Sequence, residues 1–150
     1  MTLGALAIVL GACVSMLAMT GCGEDDLAAF RKEHLAPLER RIDDARAEIS
    51  ARLREVQPGV KADAQALRGD VQQLLKEAKA AAALDAPQAA AKAKRSYASA
   101  ANALVRELRG LADALERGAT KQLERAAGRT RDALGALQSA RIALDQAVGE

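Results

Sequence analysis

The chain contains few of the residues from which most reactive centres are built. Its 150 residues include one histidine, two cysteines, one phenylalanine, one tyrosine and no tryptophan. One histidine cannot supply the two Glu-x-x-His pairs of a di-iron helical bundle, and the sequence has no Cys-x-x-Cys-His to attach haem. No glycine-rich phosphate loop follows a predicted strand, because no segment alternates like a strand. We therefore expect no metal and no other cofactor.

The few candidate reactive side chains are also poorly placed for catalysis. His34 stands beside Glu33, and we expect a surface residue rather than a metal ligand, because a metal site requires several ligands together. Neighbouring carboxylates such as Asp43-Asp44 point in different directions around a helix, and no hydroxyl lies beside a base that could activate it. The sequence thus predicts that the protein is not an enzyme, and no small-molecule substrate is evident. The formal charge of +2, without stacking aromatics among the basic residues, argues against nucleic acid.

The residues that are abundant predict helices. Half of the chain is hydrophobic and alanine is the commonest residue, a composition that favours long helices over strands. Apolar residues recur at steps of three and four over about 25–57, 60–84, 87–117 and 121–148. The connections are two to four residues long and favour antiparallel neighbours, so we predict an all-α, up-down bundle of four long helices. An elongated antiparallel coiled coil is the alternative.

The apolar positions of each segment fall on one face of its helix and predict the core. Alanine fills many of these positions, so the core is expected to be small. The predicted core residues are Leu27, Phe30, Leu35, Leu38, Ile42, Ala45, Ile49, Leu53 and Val56; Val60, Ala64, Leu67, Val71, Leu74, Ala78 and Ala81; Ala90, Ala93, Tyr97, Ala100 or Ala101, Leu104, Leu108, Leu111 and Leu115; and Leu123, Ala127, Thr130, Leu134, Leu137, Ala140, Leu144 and Val148.

Proline and glycine predict where helices bend and end. Pro37 lies inside the first apolar stripe, so either the helix kinks there or a new helix begins with Pro37 in its first turn. Pro58-Gly59 is expected to end the first segment, and Gly118 suits the C-terminal cap of the third. Gly128 and Gly135 lie one heptad apart in the fourth segment, where they either permit close backbone approach or weaken the helix.

Two polar residues predict helix starts. Asp85 is a candidate N-cap of the third helix, with Gln88 three residues later as in a capping box. Thr120 is a candidate cap of the fourth helix.

The N-terminal run from residue 2 to 22 carries no charge. An apolar run of this length is either a secretory signal or a membrane span. Its end, Met19-Thr20-Gly21-Cys22, resembles the lipobox of bacterial lipoproteins. The resemblance implies that residues 1–21 are a signal peptide, cleaved between Gly21 and Cys22, and that the lipid is attached to Cys22. Residues 22–150 would then form a single helical domain.

Other interpretations of this run stay open. Leu10-Gly11-Ala12-Cys13 also resembles a lipobox, although it leaves a hydrophobic region too short for a signal. The run could instead stay uncleaved as a membrane span, with Cys22 an ordinary thiol, or be cleaved without lipidation. All of these interpretations export the remainder of the chain.

The lipoprotein resemblance implies a location, and the helices suggest a role. It implies an exported protein that is anchored to a membrane through Cys22 and faces the periplasm or the cell exterior. Gly23, in place of an aspartate after the cysteine, favours the outer membrane in a Gram-negative source. We predict a structural spacer or an interaction adaptor that binds an envelope protein, or associates with itself, through its helices.

A second resemblance gives the alternative function. Leu35-Ala36-Pro37-Leu38-Glu39-Arg40-Arg41 and Leu53-Arg54-Glu55-Val56-Gln57-Pro58 are similar to exchangeable apolipoproteins, whose amphipathic helices are interrupted by prolines. This resemblance implies that the apolar stripe faces lipid, so that the protein coats or carries it. The heptad spacing favours a stripe that forms the core of a bundle instead.

Overall fold

The structure is a computed structural model, and it describes residues 22–149. Four helices account for nearly all of this range, and no strand occurs in it. The first helix is continuous over residues 22–55 and consists of Cys22–Phe30, a π-helical turn at Arg31–Leu35, and Ala36–Glu55. The others are Lys61–Ala83, Gln88–Arg117 and Thr120–Ala147. Each end lies within three residues of its predicted position.

The helices pack in chain order into an all-α bundle, as predicted. The third and fourth helices have the most extensive backbone contact, followed by the second and third and then the first and second. Within the described chain, the first and fourth helices have no comparable run of close backbone approaches. Helices that are consecutive in the chain therefore pack closely against each other, whereas the first and last helices pack less closely.

The core consists mainly of leucine and alanine from all four helices. Leu67, Leu74 and Leu104 are completely buried, as are Ala64 and Ala101. Small side chains let neighbouring helices approach closely, but each contributes less buried apolar area than leucine. Tyr97 is the largest of the fully buried side chains and belongs to the third helix.

The fourth helix is rotated relative to the predicted stripe. Leu123 and Leu134 are only half-buried, whereas Ala126 and Ala133, which were not predicted to face inward, are buried. The reason is its packing, since the fourth helix has extensive backbone contact with the third and far less with the first. Val60 departs from the second stripe for a simpler reason: it precedes the helix and is 37% exposed.

The π-helical turn explains how Pro37 fits within a continuous helix. Ala36 N–H donates to the carbonyl of Arg31, five residues earlier, and this wider turn precedes the proline, which then occupies the first turn of the next α-helical segment. The apolar stripe shows the same insertion, because Phe30 and Leu35 are both buried although they are five residues apart. Pro37 thus lies in the first turn of an α-helical segment that restarts after the π-helical turn, which is the second of the two predicted arrangements, without a break in the helix.

The connections explain two further differences from prediction. The third helix has Pro87 at its N-cap and no side-chain capping bond, so Asp85 does not cap it. Asp85 lies too early, since the helix starts at Gln88 and the backbone is extended at Pro87. Likewise, Ala119 is the N-cap of the fourth helix, and Thr120 is already its first helical residue.

Gly118 ends the third helix in the left-handed conformation, as predicted, with φ of 64°. A Cβ added there would lie 3.3 Å from Cα of Gly59, in the connection between the first and second helices. Gly59 N–H in turn donates to the carbonyl of Leu115, at 2.8 Å. The two connections at this end of the bundle, which we call the distal end, are therefore fastened to each other.

Arginine–carboxylate pairs cross every seam of the bundle, with N···O distances between 2.6 and 2.9 Å. Most lie partly in solvent, where one pair contributes at most about 1 kcal/mol. Their main effect is to favour one alignment of neighbouring helices. The pairs are Arg41–Glu77 and Arg52–Asp70 between the first and second helices, Arg68 with Asp113 and Glu116 between the second and third, Arg129–Glu107 between the third and fourth, and Arg141–Asp43 between the first and fourth.

Candidate functional site

The predicted signal peptide (residues 1–21), its cleavage position at Gly21 and the alternative Cys13 lie outside the described residues. Cys22, the predicted lipid-attachment residue, is the first residue that the structure describes and belongs to the first helix. His34 is exposed on the π-helical turn, with its ring centroid 6.2 Å from that of Phe30. Within residues 22–149 these motifs form no site, and the polar side chains between the helices provide the candidates.

A partly buried ion cluster joins the first and fourth helices. Arg141 Nη1 donates to Asp43 Oδ2 at 2.7 Å, and Arg141 Nε lies 3.3 Å from Glu39 Oε1. Glu39 and Asp43 are one turn apart on the first helix, so a single guanidinium reaches both. Arg46 Nη1 also donates to Asp43, at 3.1 Å. This cluster holds together a seam that has little direct backbone contact.

Burial sets the electrostatics of the cluster. Glu39 is only 8% exposed, and its burial raises the pKa of the carboxyl, with Asp145 and Asp43 adding to the rise and Arg141 opposing it. Burial also raises the pKa of the Tyr97 hydroxyl, and the negative charge of Glu39 raises it further. Burial lowers the pKa of Arg141, but its bond to Asp43 and the charge of Glu39 outweigh that effect, so the net shift is upward.

Several buried polar atoms on the first and fourth helices lack a hydrogen-bond partner in the described chain. They are Glu39 Oε1, Arg46 Nε and Thr130 Oγ1. The 3.3 Å approach of Arg141 to Glu39 is an ion pair without good hydrogen-bond alignment. A buried polar group that finds no partner in protein or water costs about 1–3 kcal/mol.

A groove of about 290 Å³ lies beside the ion cluster on the same seam. The third helix contributes apolar side chains to its floor, and the first helix contributes most of its rim. The groove can accept an apolar group whose end contacts charged side chains. It is lined by Asp43, Arg46, Ala47, Ile49, Ser50, Leu104, Leu108 and Leu134.

A second cleft, of about 340 Å³, lies between the third and fourth helices near the distal end. Its floor is made of small residues and its rim carries three arginines. Sequence reasoning missed it, although two of the arginines stand four residues apart on one helix and the third precedes Gly118. It is lined by Gly110, Ala114, Arg117, Gln122, Arg125, Ala126 and Arg129.

Neither a metal centre nor a membrane span occurs in residues 22–149. In that range no three histidine, cysteine, aspartate or glutamate side chains are grouped so that they could hold a metal ion. No helix of that range combines the length and the hydrophobicity needed to cross a bilayer. No protein family model, curated protein or solved structure matches the chain. The function is therefore inferred from the helix geometry, the groove and the cleft.

Proposed function

We propose that the protein is a lipid-anchored, exported spacer or adaptor of a bacterial cell envelope, without enzymatic activity. The observation that carries the proposal is the first helix, which includes the lipobox-like Cys22, the first residue described, and runs from there without interruption to Glu55. Its initial residues, including Glu24, Asp25 and Asp26, are exposed. At 1.5 Å per residue the helix is about 50 Å long. A lipid on Cys22 would therefore anchor one end of the bundle to the membrane and place the distal end well away from the membrane.

The anchor is tested by the mass of the protein purified from its native membrane. We expect a mass that corresponds to residues 22–150 plus acyl chains, and a Cys22→Ala variant that loses this species. A Cys13→Ala variant is the matched control and should keep the mature mass. A full-length, unmodified mass would mean that the N-terminal run is a membrane span. Loss of residues 1–21 without acylation would mean a free secreted bundle, and the spacer proposal would fail.

A second candidate function, lipid binding, is supported by the groove between the first and fourth helices. Leu104, Leu108 and Leu134 line it, and the seam has little backbone packing that must be broken before the helices separate. An opened seam would expose the apolar faces of two amphipathic helices to lipid.

Flotation with lipid vesicles tests lipid binding. Residues 22–150 with Cys22→Ala are expected to float with the vesicles and to change the fluorescence of Tyr97, the single tyrosine of the chain. Leu134→Gln places an amide on the groove and should reduce flotation, whereas Ile142→Gln, at a residue that is 48% exposed outside the groove, serves as the matched control. If the unsubstituted chain stays with the soluble fraction and Tyr97 fluorescence is unchanged, this candidate is eliminated.

A further inference from the structure

The cleft between the third and fourth helices has the chemistry of an anion site. Arg117 belongs to the last turn of the third helix, and Arg125 and Arg129 stand one turn apart on the fourth. All three line one concavity with Gln122. Of the described residues, no aspartate or glutamate lines the cleft itself. Guanidinium groups present several N–H donors in a plane, an arrangement that fits the oxygens of phosphate and carboxylate.

The arginines of the cleft keep unused donors. Arg117 Nε donates to the carbonyl of Asp113 at 3.1 Å, and Arg129 Nε donates to Glu107 at 2.8 Å. These two bonds fix the stems of the side chains without occupying their terminal nitrogens. Arg125 has no hydrogen bond or ion pair with any described residue. Among the described residues, the one ion pair that these three arginines make is that of Arg129 with Glu107, and no carboxylate lines the cleft, so the cleft keeps an excess of positive charge.

The N-terminus of the fourth helix adds to the positive electrostatic potential of the cleft. The helix runs for 28 residues from Thr120, has no side-chain N-cap and has no acidic residue in its first turn. Its positive end is therefore not neutralised locally, and Gln122 of that turn lines the cleft. Lys121 lies one turn before Arg125, a spacing that puts both on one face. The floor of the cleft is buried Ala114 and Ala126, whose small side chains leave room for a ligand between the arginines.

We propose that this cleft binds a phosphate group. Its volume of about 340 Å³ suits a phosphate or diphosphate with a small substituent rather than a long polymer. The phosphate can belong to a free small molecule or to a lipid headgroup, and both would use the same arginine donors. The cleft lies at the distal end, so the headgroups of a membrane that holds Cys22 would not reach it. This proposal does not depend on lipidation of Cys22.

The test uses the full chain in micelles of an uncharged detergent and follows the Nε–Hε NMR signals of the arginines. Inorganic pyrophosphate represents the free ligand, and glycerophosphoglycerol, a phospholipid headgroup without its acyl chains, represents the lipid. We expect saturable shifts of the Arg117, Arg125 and Arg129 signals with at least one probe. The probe that binds more tightly identifies the source of the phosphate, and sodium chloride at equal ionic strength should not reproduce the shifts.

Variants separate a specific site from general attraction to positive charge. Arg125→Gln should weaken binding about tenfold, because it removes charge-assisted hydrogen bonds, while the melting temperature stays unchanged at this exposed position. Arg95→Gln, at an exposed arginine outside the cleft, is the matched control and should bind as the unsubstituted chain does. No saturable shift with either probe overturns the proposal. Equal weakening by Arg125→Gln and Arg95→Gln overturns it as well.

Discussion

Replacing Arg141 with methionine is expected to destabilise the bundle by about 2–3 kcal/mol, because it removes the guanidinium that faces the buried Glu39 carboxylate. Replacing Glu39 with glutamine is expected to cost much less. Arg141 is more exposed than Glu39 and keeps its 2.7 Å bond to Asp43 when Glu39 is neutral. Urea unfolding of both variants measures the asymmetry. Equal losses in the two variants would contradict the view that Glu39 is a buried charge in need of a partner.

The same substitution predicts a specific pH dependence. Burial raises the pKa of Glu39 in the folded chain above its unfolded value, so the folded chain binds that proton more tightly. The contribution of Glu39 to stability is therefore full below the unfolded pKa and is lost as pH rises through the folded pKa. Without Arg141 the pKa of Glu39 should rise further, so the Arg141→Met variant should gain stability as the pH is lowered through the raised folded pKa toward the ordinary value of a glutamate.

Glu39→Gln supplies the control for this pH effect, because it cannot titrate. The unsubstituted chain should show the same sign as Arg141→Met with a smaller slope, since Arg141 partly offsets the effect of burial. The double variant Glu39→Gln, Arg141→Met should lose the added slope. If Arg141→Met instead becomes less stable toward acid pH, the assignment of the effect to Glu39 is wrong.

Alanine at Gly69, Gly128 and Gly135 together is expected to raise the free energy of unfolding by about 3 kcal/mol and the melting temperature by roughly 10 °C. All three glycines lie inside helices, and a Cβ built at each meets no atom within 4 Å. Because no atom lies near these positions, Gly128 and Gly135 do not serve to let another backbone approach closely. They weaken the fourth helix, which is the other role considered for them. Thermal melting followed by circular dichroism measures the gain.

Gly118→Ala is the matched control, because the same substitution there should have the opposite sign. Its positive φ disfavours a side chain, and the new Cβ would press on Cα of Gly59. We expect a loss of about 1–2 kcal/mol. A triple variant that melts no higher than the unsubstituted chain would mean that flexibility of these helices is not what limits stability.

Most of the fold could be predicted from the sequence, because each helix is encoded by a local apolar stripe. The sequence also contains the signal for the π-helical turn, because the apolar residues Phe30 and Leu35 are five positions apart. This single longer step is easily overlooked among steps of three and four, and Pro37 offers another explanation for an irregularity there. The caps were predicted less well. Asp85 has a side chain that suits an N-cap, but it lies two residues before the actual N-cap, Pro87. The backbone conformation at Pro87, and not the side chain of Asp85, sets where the first turn begins.

The candidate sites could not be predicted in the same way, because they depend on contacts between helices. Arg141 is 98 residues from Asp43 in the chain, and nothing local to either residue indicates their pairing. The rotation of the fourth helix, which leaves Leu134 half-buried beside the groove, follows from its preference for the third helix over the first. Residue spacing along the fourth helix does suggest the pair Arg125 and Arg129, but not that Arg117 joins them.

The bond from Gly59 to Leu115 has a mechanical consequence. It ties the connection after the first helix to the end of the third, so a force applied at the distal end is shared between two helical hairpins. If the opposite pull acts at Cys22, as the proposed anchor implies, the load runs parallel to the helix axes. A pull on the end of the third helix is then resisted by this bond together with the packed interfaces of the bundle, which lie parallel to the load and break together rather than one turn at a time.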